Sequence, residues 1–117
     1  MTSSQARFRR AHRLRDGRDY RRLAATGHRA ASKNYVVLTV QRETHDSAKL
    51  GITVSRRVGS AVQRNQVKRV VREWFRTRRS KLPRDLDVVV IARSSAVALP
   101  AREADVELSR LTREAAG

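Results

Sequence analysis

Cysteine is absent from this chain of 117 residues. That excludes a disulfide framework and any thiolate metal site, and it leaves the redox compartment open. Acidic residues are scarce, with 11 Asp and Glu set against 27 Lys and Arg for a net charge of +16. A compact domain with this excess repels itself unless a polyanion neutralises it. Aromatic residues are few: two Tyr, two Phe and one Trp, so any surface built for stacking is small. The longest strongly apolar run, Val88–Ala92, is far short of the roughly 20 residues that a bilayer span requires. Met1 to Arg10 holds no apolar run and does not read as a secretory signal, so a cytoplasmic protein with no membrane association is expected. Glycine-rich phosphate loops, internal repeats and low-complexity tracts are also missing.

What is present is arginine, 23 of the 27 basic residues. Its planar fork grips phosphate with two hydrogen bonds and stacks on bases, which points to nucleic acid. The charge is unevenly spread. Residues 1–30 carry nine Arg and two acids, residues 53–84 carry eleven basic residues and one acid, Glu73, and residues 85–117 carry four basic residues and six acids. One face or end is therefore expected to meet the polyanion, with the C-terminal segment expected to lie away from it.

The length fits one domain. Residues 1–12 read as a disordered basic tail, and 13–117 as a single RNA-binding α/β domain. Asp16 or Asp19 caps an N-terminal helix that runs to about Thr26 and stops at Gly27. A short strand near Arg29–Ser32 is followed by strands over 34–41 and 49–55, which are expected to pair as a hairpin. The clearest element is a helix over about Ala61–Arg79. Leu86–Arg93, continuously apolar from Val88 to Ala92, is expected at the centre of a sheet. Pro100 opens a last helix over 101–116, burying Ala104, Leu108, Leu111 and Ala115. The expected fold is α+β, an α-β-β-β-α-β-α sandwich with one small central sheet packed by helices.

The helix over 61–79 divides into two sides. Val67, Val70, Val71, Trp74 and Phe75 fall within roughly 140° of one another at 100° per residue. Lys68, Arg72, Asn65, Arg76 and Arg69 occupy a contiguous arc beside and opposite them, with Arg64 at the border. One turn rises about 5.4 Å, similar to the spacing of phosphates along a strand. A solvated helix face normally mixes its charges. Here like charges at i,i+4 destabilise the helix with almost no acid to offset them. Asn65 adds an amide able to bond a base edge, a phosphate or a neighbouring Arg.

The run Arg64-Asn65-Gln66-Val67-Lys68-Arg69-Val70-Val71-Arg72-Glu73 resembles the Arg-Asn-x-x-Lys-Arg-x-x-Arg-Glu signature of the bacterial ribonuclease P protein family. Leu50 to Val62 resembles the strand and turn leading into that helix. Arg13-Leu14, Asp19-Tyr20 and Gly27 resemble the first segment, and Asp87 to Arg93 the last strand. The likeness runs from about Arg13 to Leu111.

The resemblance implies a ribonuclease P protein-like fold, similar to the second domain of a small-subunit ribosomal protein. It implies an endoribonuclease component whose catalytic RNA performs Mg²⁺-dependent hydrolysis. The protein binds that RNA and holds the single-stranded 5′ leader of precursor tRNA between its first helix and the sheet. It implies RNA contacts at Arg56, Arg57, Arg64, Asn65, Lys68, Arg69, Arg72 and Arg76, and a leader cleft at Arg13, Tyr20 and Tyr35. Ala24 and Leu38 depart from the family by standing where aromatic residues are expected, which thins the stacking platform.

No protein catalytic residue is expected. His12, His28 and His45 lie in a tail and loops without a shared motif, and Glu103, Asp105 and Glu107 read as charges complementing a helix dipole. Mg²⁺ enters through the RNA subunit, no metal is expected on the protein, and no obligate protein partner is evident. The alternative reading is a structural RNA-binding protein such as a ribosomal protein. A DNA-binding module is disfavoured, because it would show isolated base-reading side chains on a recognition helix in place of a cation stripe.

Overall fold

The structure, a computed structural model, describes residues 28–41, 48–83 and 86–116. The expected basic tail and the helix over 16–26 lie outside the described residues, as do Arg13 and Tyr20. Four strands, β1 (His28–Ala31), β2 (Tyr35–Gln41), β3 (Lys49–Thr53) and β4 (Leu86–Ala92), form one mixed sheet with two helices, α1 (Ala61–Arg78) and α2 (Ala101–Ala116). Short 3-10 turns cover Arg56–Val58, Arg79–Lys81 and Ser94–Ala98. His28, expected in a loop, opens β1 instead.

The sheet order is β1-β2-β4-β3. β1 and β2 pair antiparallel, as do β2 and β4, whereas β3 runs parallel to β4. The expected β2–β3 hairpin is therefore wrong, because β4 is inserted between those strands, with Val90 opposite Val37 on one side and Ile52 on the other. The two central strands are the apolar ones. β2 and β4 are buried along nearly their whole length, while β1 is mostly exposed. A strand covered on both faces has no side for polar residues, so alternation disappears from its sequence.

The sheet's helix-facing side makes the main core. Tyr35 and Val37 of β2 and Val88, Val90 and Ala92 of β4 meet Val67, Val71, Trp74 and Phe75 of α1. Ala104, Leu108 and Leu111 of α2 complete it. On the other side Val40 and Val89 form a smaller cluster with Leu38 and Ile91. The Trp74 indole N–H is satisfied by Ser109 Oγ at 3.0 Å, and Arg78 reaches Asp105 at 2.6 Å, so α1 and α2 are joined by a hydrogen bond and an ion pair.

Tyr35 corrects an expectation. Assigned by resemblance to the leader cleft, it is 1% exposed and belongs to the core. It shares strand parity with Val37 and Thr39, which turns its ring toward the helices. Burial first, then the Glu107 charge, push its hydroxyl up to about 12. Both Glu107 carboxylate oxygens accept hydrogen bonds, from Ser32 Oγ at 2.8 Å and Asn34 Nδ2 at 3.0 Å, which ties the β1–β2 turn to α2.

Candidate nucleic-acid interface

The start of α1 is fixed by local chemistry. Ser60 Oγ accepts from the Gln63 N–H at 3.2 Å, and Gln63 Oε1 accepts from the Ser60 N–H at 2.9 Å, a reciprocal capping box. Gly59 before it sits at φ 158°, ψ −161°, a region essentially reserved for glycine. A Cβ there would stand 2.3 Å from Gln63 Oε1, in the capping side chain itself. The helix therefore begins where these three residues put it, which sets the rotation of everything after it.

That rotation buries Val67, Val71, Trp74 and Phe75 and turns Asn65 and Arg69 to solvent. Lys68 and Arg72 lie half-buried along the flank. Val70, expected in the core stripe, is half-buried at its edge. Arg64 belongs to the inner arc by angle, near Val71 and Phe75, yet lies closer to the helix start. It is half-buried, and its Nε is enclosed without a hydrogen-bond partner. An enclosed N–H without an acceptor costs about 1–3 kcal/mol.

The electrostatics are one-sided. Arg64, Lys68 and Arg72 succeed one another at i,i+4, followed by Arg76, and the first turn of α1 contains no acid. The neighbouring acid, Glu73, is taken by Arg76, whose Nε donates to Glu73 Oε2 at 3.1 Å. That hydrogen bond holds the Glu73 carboxyl below the usual carboxylate range. Arg64, Lys68, Arg69 and Arg72 form no ion pair among the described residues. The like charges lower helix stability and the helix dipole adds to the cost at its positive end. Stability alone does not account for this face.

A second group of cations collects where β3 and β4 end. The exposed Arg56 and Arg57 follow β3, and Arg93, also exposed, follows β4. Lys33, in the β1–β2 turn, is brought to the same end of the sheet. Ser94 Oγ donates to the Arg57 carbonyl at 3.3 Å and Ser95 Oγ to the Lys33 carbonyl at 2.9 Å. The Arg93 N–H donates to the Asn34 carbonyl at 2.8 Å. Sequence reading finds Arg56 and Arg57 and misses Lys33 and Arg93. These two stand alone in polar loops, and only the sheet order reveals their proximity. None of the four has an ion-pair partner among the described residues.

Among the described residues no three His, Asp or Glu side chains stand together in a way that could hold a metal ion. No helix among them is long and apolar enough to cross a membrane.

Comparison with known proteins identifies what this geometry belongs to. The profile of the family described as Ribonuclease P matches residues 8–116. The ribonuclease P protein component of Desulforapulum autotrophicum is 36% identical over 104 residues, covering 89% of this chain and 88% of that one. That of Staphylococcus aureus strain Mu3 is 38% identical over 86 residues, 74% of either chain. Among solved structures, the RNase P protein of S. aureus superposes with a TM-score of 0.82 at 33% identity, covering 91% of this chain and 96% of that one. The RNase P protein of Thermotoga maritima superposes with a TM-score of 0.75 at 33% identity, covering 86% and 96%.

Proposed function

From the premise that this chain belongs to the bacterial ribonuclease P protein family, and is thereby a component of that tRNA-processing endoribonuclease, we propose how its residues serve the ribonucleoprotein. The outward face of α1 lies along the catalytic RNA. Arg64, Lys68, Arg69 and Arg72 neutralise its phosphates, Asn65 bonds a phosphate or a base edge, and Arg76 extends the stripe while holding Glu73. Arg56 and Arg57 continue the interface at the end of β3. The observation that carries this reading is the set of four α1 cations that form no ion pair among the described residues, in a helix whose stability they lower; the one acid beside them, Glu73, is bonded to Arg76. A phosphate beside Arg64 would also supply the acceptor that its enclosed Nε lacks.

In this reading the protein contributes binding and positioning, and the hydrolysis of the phosphodiester belongs to the RNA. Mg²⁺ held by that RNA would activate the attacking water and stabilise charge on the phosphate oxygens. The described residues of this chain offer no ligand set for it. What they offer is fixed positive charge, which lowers the mutual repulsion of RNA strands folded around the scissile bond. The same charge reduces the concentration of Mg²⁺ that the RNA needs.

The 5′ leader of precursor tRNA is the second proposed ligand. Arg13 and Tyr20, from the segment outside the described residues, are its proposed contacts within a domain spanning 13–117 behind a basic tail. With Tyr35 in the core, leader binding rests on Tyr20 and on cations, and it tolerates sequence because phosphate contacts carry no sequence information. The enzyme works in the cytoplasm, where its substrate is transcribed.

The test is cleavage of precursor tRNA by a bacterial ribonuclease P RNA across a Mg²⁺ titration. Adding this protein shifts the midpoint to lower Mg²⁺. A midpoint that does not move when the protein is added rejects the reading.

A further inference from the structure

A groove separates α1 from α2 on the side of the molecule away from the sheet. Two adjoining cavities of about 360 and 780 Å³ lie in it, meeting at the Arg78–Asp105 ion pair. Val70, Trp74 and Leu82 line the groove with Val106, which is 66% exposed and one of two large apolar side chains so exposed among the described residues. A single exposed Val is ordinary. Placed over an apolar floor between charged walls, it completes a lining.

The walls are cationic. Arg69 and Arg102 flank one cavity, Lys81 and Arg113 the other, and none of the four forms an ion pair among the described residues. The acids in the lining are engaged, Glu73 by Arg76 and Asp105 by Arg78. An apolar floor under cations that form no ion pairs fits a ligand with flat apolar parts on a negatively charged backbone. An acidic protein is the poorer fit. A specific protein interface buries on the order of 1,000 Å² or more with an apolar centre, whereas these cavities have the dimensions of small-ligand sites, roughly 300–1,000 Å³. Arg69 also belongs to both the groove wall and the proposed RNA face of α1, so the two surfaces are continuous.

We propose that the groove between α1 and α2 seats unpaired nucleotides of the catalytic RNA, with bases on the Val70–Val106 floor and phosphates on Arg69, Arg102, Lys81 and Arg113. This rests on the reading that α1 faces that RNA, and it extends the interface around the helix onto α2. The Arg78–Asp105 pair divides the groove, so a strand crossing it presents one base to each side.

The absence of cysteine makes the test direct. Val106→Cys creates a unique attachment point for an azide photo-crosslinker on the full chain, assembled with ribonuclease P RNA and precursor tRNA. The expected crosslinks fall on unpaired nucleotides of the ribonuclease P RNA. Crosslinks confined to a second copy of the protein, confined to precursor tRNA, or absent from RNA overturn the proposal.

Affinity gives an independent arm. Val106→Glu sets a carboxylate among the phosphates and weakens binding to the RNA subunit by about tenfold or more, with the melting temperature unchanged. Arg102→Gln plus Arg113→Gln lowers the slope of log K against log salt by about 1.4 to 1.8. Arg110→Gln, on α2 outside the groove, changes charge by the same one unit per residue and leaves the crosslink pattern in place. If Lys68→Ala plus Arg72→Ala weakens binding while Val106→Glu does not, the groove proposal fails alone. If neither matters, the reading of α1 fails first.

Discussion

Replacing Lys68 and Arg72 together by Ala moves stability and RNA affinity in opposite directions, and both magnitudes follow from the geometry. The two residues are half-buried on the flank of α1 and form no ion pairs among the described residues. They stand between Arg64 and Arg76, so the double substitution removes three like-charge i,i+4 pairs, worth about 0.5–1.5 kcal/mol in total. Weaker stem packing offsets part of that gain, leaving the variant at least as stable as the parent. With two phosphates no longer neutralised, the slope of log K against log salt falls by about 1.4 to 1.8, which at about 0.15 M salt corresponds to roughly 15- to 30-fold weaker binding. The assay is equilibrium binding to ribonuclease P RNA at four or more salt concentrations, beside thermal melting of the free protein. Weaker binding with an unchanged slope would mean that the loss comes from a distorted fold, and unchanged binding would make the stripe mere surface. Either result refutes the argument from unpaired charge.

Two further outcomes follow from the core and the cap. Tyr35 titrates near 12 in the folded protein and near the ordinary value of about 10 once unfolded. Its folded value is the higher one, so the stability it contributes is complete below about pH 10 and is lost as pH rises toward 12, by about 2–3 kcal/mol. Ultraviolet titration of the Tyr20→Phe variant, folded and in urea, isolates this hydroxyl; a folded value near 10 would contradict the burial of Tyr35. Gly59→Ala forces a side chain into a glycine-only conformation and into the Gln63 cap, and costs about 1–3 kcal/mol in chemical denaturation. A loss below about 0.5 kcal/mol would show that the turn relaxes freely.

The long basic helix, the central position of β4 and the burial of Ala104, Leu108, Leu111 and Ala115 on α2 are all legible in the sequence, because each is written in a period or in its absence. The strand order is not read correctly from adjacency. Consecutive strands usually pair, and that rule joins β2 to β3 in a hairpin that the molecule does not form. The contrary signal is present in composition. β2 and β4 are the two strands without polar alternation, and two strands buried on both faces belong side by side at the centre. Tyr35 follows the same logic. Its parity with Val37 marks it as a core residue, whereas resemblance alone points to the leader cleft. Lys33 and Arg93 are not legible at all, since their approach to Arg56 and Arg57 depends on the tertiary path through Ser94 and Ser95. The α1 face is legible because a single helix carries it.

The most direct measurement uses an iron chelate tethered at position 65 through Asn65→Cys, an exposed site on the outward arc of α1 in a chain with no other thiol. With α1 lying on the catalytic RNA, hydroxyl radicals cut a short, defined stretch of that RNA in the assembled enzyme. The same chelate at Arg110→Cys, on α2 outside the groove, leaves that stretch intact. Cutting from position 65 that is absent, or no different from that at position 110, would contradict the claim that the unpaired cations of α1 face RNA.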